Sequence, residues 1–162
     1  MDGSTVDLGD LGPSEGADSP PDTWWHADFP WAAESAGAAR AVIRTSLRHP
    51  PAGRSATDLR LVTDDAIEDA ALVATELIAN AIDHGDPGAE HLVHLAWALA
   101  PHDLVLRVRD SGRGAPFGAA APTTDGLRGR GLLIVDSVCR RWDVVRDGGT
   151  TVTALVPLDA VA

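Results

Sequence analysis

The sequence predicts one domain of mixed α and β structure, and three observations carry that prediction. Between residues 64 and 84, Ile67, Ala70, Ala71, Ala74, Ile78 and Ala81 recur at helical spacing along one stripe. Two apolar runs, "EHLVHLAWAL" (90 to 99) and "DLVLRVRD" (103 to 110), have the length and texture of strands. The 162 residues, 44% of them apolar, suit a single core of ordinary size.

In chain order, residues 1 to 23 hold six acids (Asp2, Asp7, Asp10, Glu15, Asp18, Asp22), no base, and much glycine, serine and proline. Such a composition buries too little to offset its ordering entropy, so a disordered acidic tail is expected there. "WWHADFP" (24 to 30) reads as a short strand ended by Pro30. "ESAGAARAVIRTSLR" (34 to 48) has the alanine, leucine and arginine of a helix, stopped by His49 and the Pro50-Pro51 pair. The helix over 64 to 84 ends at Gly85 and Pro87 in the manner of a glycine cap. The two strands that follow join across Pro101, His102 and Asp103, and a loop rich in glycine, alanine and proline covers 111 to 126. "GLLIVDSVCRR" (131 to 141) reads as a helix, and "WDVVRDGGTTVTALVP" as a hairpin turning at Gly148-Gly149.

Charge narrows the chemistry. The net charge is −11, and all 13 basic residues are arginine. Without lysine there is no Walker A phosphate loop, no pyridoxal Schiff base and no lysine general base. An acidic balance also argues against a nucleic-acid binder, while leaving room for one nucleotide in a local pocket. Of 24 acids six lie in the tail, leaving 18 against 13 arginines, so much of the acidity is tail. Cys139 is the only cysteine, which excludes an internal disulfide and a cysteine-rich zinc site. No apolar run approaches a membrane span and no secretory leader is visible at the N-terminus, so a cytoplasmic protein is the simplest reading.

Three segments could carry chemistry. In "LVLRVRD", alternation puts Leu104, Leu106, Val108 and Asp110 on one face. Asp110 thus points toward the covered side, either capping the Asp-Ser-Gly turn or receiving a donor from a ligand. Gly112 and Gly114 follow it, where a chain can approach a planar ligand closely. In "GLRGRGLLIVD", Gly126, Gly129 and Gly131 precede a helix whose N–H groups can face an anion, with Arg128 and Arg130 as forked donors. The alternative is a flexible connector, and the absence of a leading strand removes a Rossmann reading. In "ELIANAIDHG", Glu76 and Asn80 stand four apart on one helix face. Flanking Leu72, Val73 and Leu77 suit a cleft wall better than a solvated face. There Asn80 could offer an oxygen to Mg²⁺, and Glu76 could act as a general base. His84 continues the row, where contact with phosphate and contact with the helix dipole are equally open. His91 and His94, three apart on a strand, face opposite ways and make no metal pair. The five tryptophans suit core or interface.

In order, "ELIANAIDH", "RDSGRG" and "GRGLLIVD" resemble the N, G1 and G2 boxes of the GHKL ATP-binding superfamily. Among its branches the chain most resembles the bacterial anti-sigma-factor serine/threonine kinases and their stand-alone relatives. The resemblance covers about residues 24 to 158 and leaves out the tail and the C-terminal end, 159–162. It implies the Bergerat fold, an α/β two-layer sandwich with a mixed, mainly antiparallel sheet and helices on one face. It further implies ATP and Mg²⁺ as cofactors, with Glu76 as catalytic base and Asn80 as the metal ligand. Asp110 would read the adenine amino group with Gly112 and Gly114 beside the base. Gly129 and Gly131 would bind phosphate, and Thr151 would support the adenine-reading acid. The segment between Gly114 and Gly126 would be the ATP lid; it holds no basic residue, leaving Arg128 or Arg130 for the γ-phosphate. The implied partners are a sigma factor and an anti-anti-sigma (STAS-type) protein, with a homodimer suggested and no membrane or direct nucleic-acid contact. Two functions follow: a protein kinase acting on the antagonist, or a module that binds ATP and regulates a partner by contact.

Overall fold

The computed structural model describes residues 24–49, 62–110, 112 and 130–158. Its elements are β1 (Trp25–Pro30), α1 (Glu34–Arg48), α2 (Asp64–His84), β2 (Leu92–Leu99), β3 (Asp103–Asp110), α3 (Arg130–Val138), β4 (Arg141–Arg146) and β5 (Thr150–Pro157). The acidic tail, the proposed lid and the C-terminal end lie outside the described residues.

The strands form one sheet in the order β1-β2-β3-β5-β4. Every pairing among them is antiparallel, so the mixture expected of the sheet narrows to a single sense. Alternation decides which side is covered. Phe29, Val93, Leu95, Leu106, Val108 and Ala154 all turn toward the helices and join the core built with Ile43, Leu77, Ile78 and Val135. The helix α2 lies on β2, β3 and β5, while α1 and α3 pack on α2. The result is a two-layer α/β sandwich. None of the described helices is long and apolar enough to cross a membrane.

The central helix is specified locally as well as by packing. Thr63 caps it, its hydroxyl accepting from the Ala66 N–H at 3.1 Å, and Asp64 and Asp65 complement the dipole of the first turn. Four buried alanines (Ala66, Ala70, Ala71, Ala74) allow neighbours to approach closely. On α1 the buried residues Ser35, Ala39, Ile43 and Leu47 fall four apart and form the matching stripe.

Above that seam Arg40, Arg44 and Arg48 all reach Glu68 on α2. The Arg44 hydrogen bond is the main cause holding the Glu68 carboxyl below its ordinary range. A lowered folded-state pKa contributes stability that is fully present above the unfolded value, near 4.5, and is lost as pH falls through the folded value. Glu68→Gln is therefore expected to flatten the acid limb of the stability curve, as read by urea midpoints from pH 3 to 7. An unchanged acid limb would contradict this.

Two element ends differ from expectation. Gly85 adopts φ −87°, ψ −169°, an extended conformation open to any residue, so it is no left-handed cap. Its side-chain space is the constraint: a Cβ there would sit 2.6 Å from Asp110 Oδ2 and 2.4 Å from the Ala81 carbonyl oxygen. The helix expected to run to 141 stops at Val138, because the Arg140 N–H donates to the Leu155 carbonyl at 2.9 Å. Arg140 Nε also donates to Asp103 Oδ1 at 2.8 Å, and Asp103 is almost fully buried. This pair ties the start of β3 to the end of α3. Asp103→Asn is expected to cost about 1 kcal/mol, below the usual range for a charged hydrogen bond because Arg140 is partly solvated. Chemical denaturation checks it, and a midpoint equal to the parent's would refute it.

Candidate functional site

A cavity of about 540 Å³ opens between α2, the sheet, α3 and the edge strand β4. Its size suits a small-molecule ligand. The wall is largely apolar, with Leu77 and Ala81 from α2, Val108 and Val152 from the floor, and Leu132 and Val144 opposite. The polar groups that interrupt it are few and fall at definite places.

Asp110, the last residue of β3, is 3% exposed and lies on the cavity floor. Its Oδ1 accepts from the Thr150 N–H at 2.9 Å, and its Oδ2 accepts a long 3.4 Å bond from the Asp86 N–H. A buried carboxylate can accept about four hydrogen bonds, so capacity for a ligand donor remains. Neither partner belongs to the Asp-Ser-Gly turn: one oxygen is held by the hairpin and the other faces the end of α2. Gly149, at φ +148°, makes that close approach possible: a Cβ would come within 3.0 Å of the Asp110 and Gly112 carbonyl oxygens.

Asn80 lines the cavity one turn before His84, which lines it as well. The Asn80 Nδ2 is buried and has no hydrogen-bond partner among the described residues. Such an orphan is costly in an empty protein and is satisfied by a polar ligand. Its carboxamide can present either oxygen or nitrogen, so it fits both a metal ion and a phosphate oxygen. Glu76 continues the row, about 6 Å further along the axis by helical rise. It is half-buried and is not among the described residues lining the cavity.

The remaining expected residues divide. Arg130 and Gly131 open α3, placing that helix's N-terminus where the glycine-rich segment leads. Gly114, Arg128 and Gly129 lie outside the described residues. Gly112 is buried and is not among the described residues lining the cavity; the Asp86 side chain occupies the space a Cβ there would need, 2.0 Å away. Thr151 lies away from the acid it was expected to support. It pairs with Arg109 and shares that residue's face, opposite Asp110, whereas the neighbouring Thr150 lines the cavity and supplies the N–H to the acid.

Sequence reasoning missed Gly85, Thr150, Trp142 and Arg146, all of which line the cavity. Trp142, Val144 and Arg146 alternate along β4, so period-two spacing marked them once the hairpin register was known. The Trp142 indole N–H donates to Asp136 Oδ1 at 3.1 Å, fixing that ring against α3. Burial pulls the Arg146 pKa down. Nearby Cys139 is chemically quiet, its thiol pushed up to about 12, chiefly by burial and secondly by Asp136. No group of three or more metal-ligating side chains occurs among the described residues.

Compared with known families, residues 29–156 match the model of the histidine kinase-like ATPase domain. The chain belongs to the histidine kinase-like ATPase family. Among solved structures it is similar to the RsbU and RsbW domains of Rv1364c from Mycobacterium tuberculosis, with a TM-score of 0.60 and 20% identity. That match covers 88% of this chain but 34% of the other, so the chain spans about a third of its length. At this identity the likeness shows the fold. No curated protein matches. For a histidine kinase-like ATPase domain the implied ligand is ATP, and the cavity, the buried acid and the unpartnered amide suit one.

Proposed function

We propose that the chain binds Mg-ATP in this cavity and acts as an anti-sigma-type serine/threonine kinase on an antagonist protein. The observation that carries the reading is Asp110, a buried carboxylate with acceptor capacity at the floor of an apolar cavity. A carboxylate there selects a base bearing an exocyclic amine, as adenine does, over one presenting a carbonyl oxygen. Asn80, about 7.5 Å back along α2 from Gly85 by helical rise, marks the phosphate end. Magnesium held there would neutralise phosphate charge, with Asn80 contributing one oxygen. Glu76 would take the proton from the acceptor hydroxyl as its oxygen bonds to the terminal phosphorus and ADP departs. The resemblance of the three sequence boxes to the anti-sigma-factor kinases supports a place in sigma-factor control, and the RsbW domain of the similar structure shares the fold. The proposed partners are accordingly a sigma factor and an anti-anti-sigma protein, with the chain as a homodimer.

A second reading has specific support. Glu76 stands back from the described cavity wall, and the segment between Gly114 and Gly126 holds no base. Both favour a module that binds ATP to set its shape and regulates its partner by contact. Incubating the chain with labelled ATP, Mg²⁺ and candidate antagonist proteins separates the two. Label on the antagonist supports the kinase, and ATP binding without transfer supports the module.

A further inference from the structure

The cavity has a cation at its base end that no sequence motif marks. Arg146 is the one arginine among the described residues that line it. It lies on β4, the outer strand of the sheet, and pairs with Thr150, whose N–H holds Asp110. Asp110, Thr150 and Arg146 thus form one row across the floor, all on the cavity side. Strands lie about 4.8 Å apart, which separates the backbones of Arg146 and Asp110 by roughly 10 Å. A purine hydrogen-bonded to Asp110 along its edge extends over Val152 toward β4 and meets that side chain. The phosphate end lies elsewhere, toward Asn80 on α2 and the N-terminus of α3.

We infer that Arg146 clamps the nucleotide base, its guanidinium plane laid against the purine whose amino group Asp110 accepts. The inference rests on the nucleotide reading above and assigns the base pocket a second contact within it. A guanidinium suits the role because it is planar, always charged and weakly hydrated, and so stacks on π-systems where an ammonium does not. Arg146 is exposed at the rim of the cavity, so the contact belongs at the lower end of the cation–π range. Val144 and Trp142 precede it on the same face and extend the apolar wall beyond the base. The Gly148-Gly149 turn, with positive φ at both residues, joins β4 to β5 and packs against Asp110.

The test is calorimetric titration of the full chain and its variants with AMP, ADP and ATP. Arg146→Ala is expected to weaken all three by the same factor, roughly 2- to 5-fold, because the contact is to the base. Arg146→Lys is expected to resemble alanine, since it keeps the charge and loses the plane. Arg141→Ala, on the same strand but the other face, serves as control and is expected to bind as the parent does. A loss that grows with phosphate number would place the guanidinium on the phosphates and overturn the inference. So would full rescue by lysine, or unchanged affinity in a folded Arg146→Ala. A parent chain that binds none of the three nucleotides defeats the nucleotide reading itself, and the clamp with it.

Discussion

Replacing Glu76 by alanine is expected to slow phosphate transfer by roughly 10²–10⁴-fold while leaving ATP affinity at the parental value. The two readouts separate because a base acts on the incoming hydroxyl, whereas affinity comes from groups that touch the nucleotide. Glu76 is half-buried and stands one turn beyond Asn80, outside the wall that the described residues form. That position suits a group meeting a protein substrate from the open side. Asn80→Ala provides the contrast, with Mg-dependent affinity expected to fall because the unpartnered amide proposed for the phosphate end is gone. Single-turnover transfer to the antagonist, paired with ATP titration, measures both. Transfer at the parental rate by Glu76→Ala would remove the residue from the mechanism.

Asp110→Asn is expected to weaken ATP by about 1–3 kcal/mol, or roughly 5- to 150-fold. The size follows from how the carboxylate is held. Its Oδ1 is tied to the Thr150 N–H, and the amide oxygen of asparagine can keep that bond. The amide nitrogen then replaces Oδ2 and turns a donor toward the Asp86 N–H and toward any ligand amine. Two donors face each other where donor met acceptor, and the fold keeps its shape. Circular dichroism checks folding and calorimetry checks binding. Parental affinity in a folded variant would sink the adenine assignment.

The sequence and the structure agree where the physics is local. The spans of α1, α2 and β3 follow from periodicity and turn residues, and the structure reproduces them at both ends. The helix leading to Cys139 had no such signal, because "CRR" contains neither glycine nor proline. It ends through contacts to Leu155 and Asp103, both distant in sequence. The inward direction of Asp110 was legible from strand alternation alone. The Thr151 assignment failed on register: a one-residue offset across β3 and β5 moves a side chain to the other face, and sequence does not fix that offset. Arg146 escaped notice for the same reason, since its place in the row with Thr150 and Asp110 exists only once the hairpin is paired.

The wall that carries Trp142, Val144 and Arg146 is hydrogen-bonded to a neighbouring strand on one side only, among the described strands. Strands so placed open at lower free energy than central ones, and their amides exchange with solvent first. A ligand resting on β4 would add contacts to that margin, so nucleotide binding is expected to slow amide exchange over residues 142 to 146.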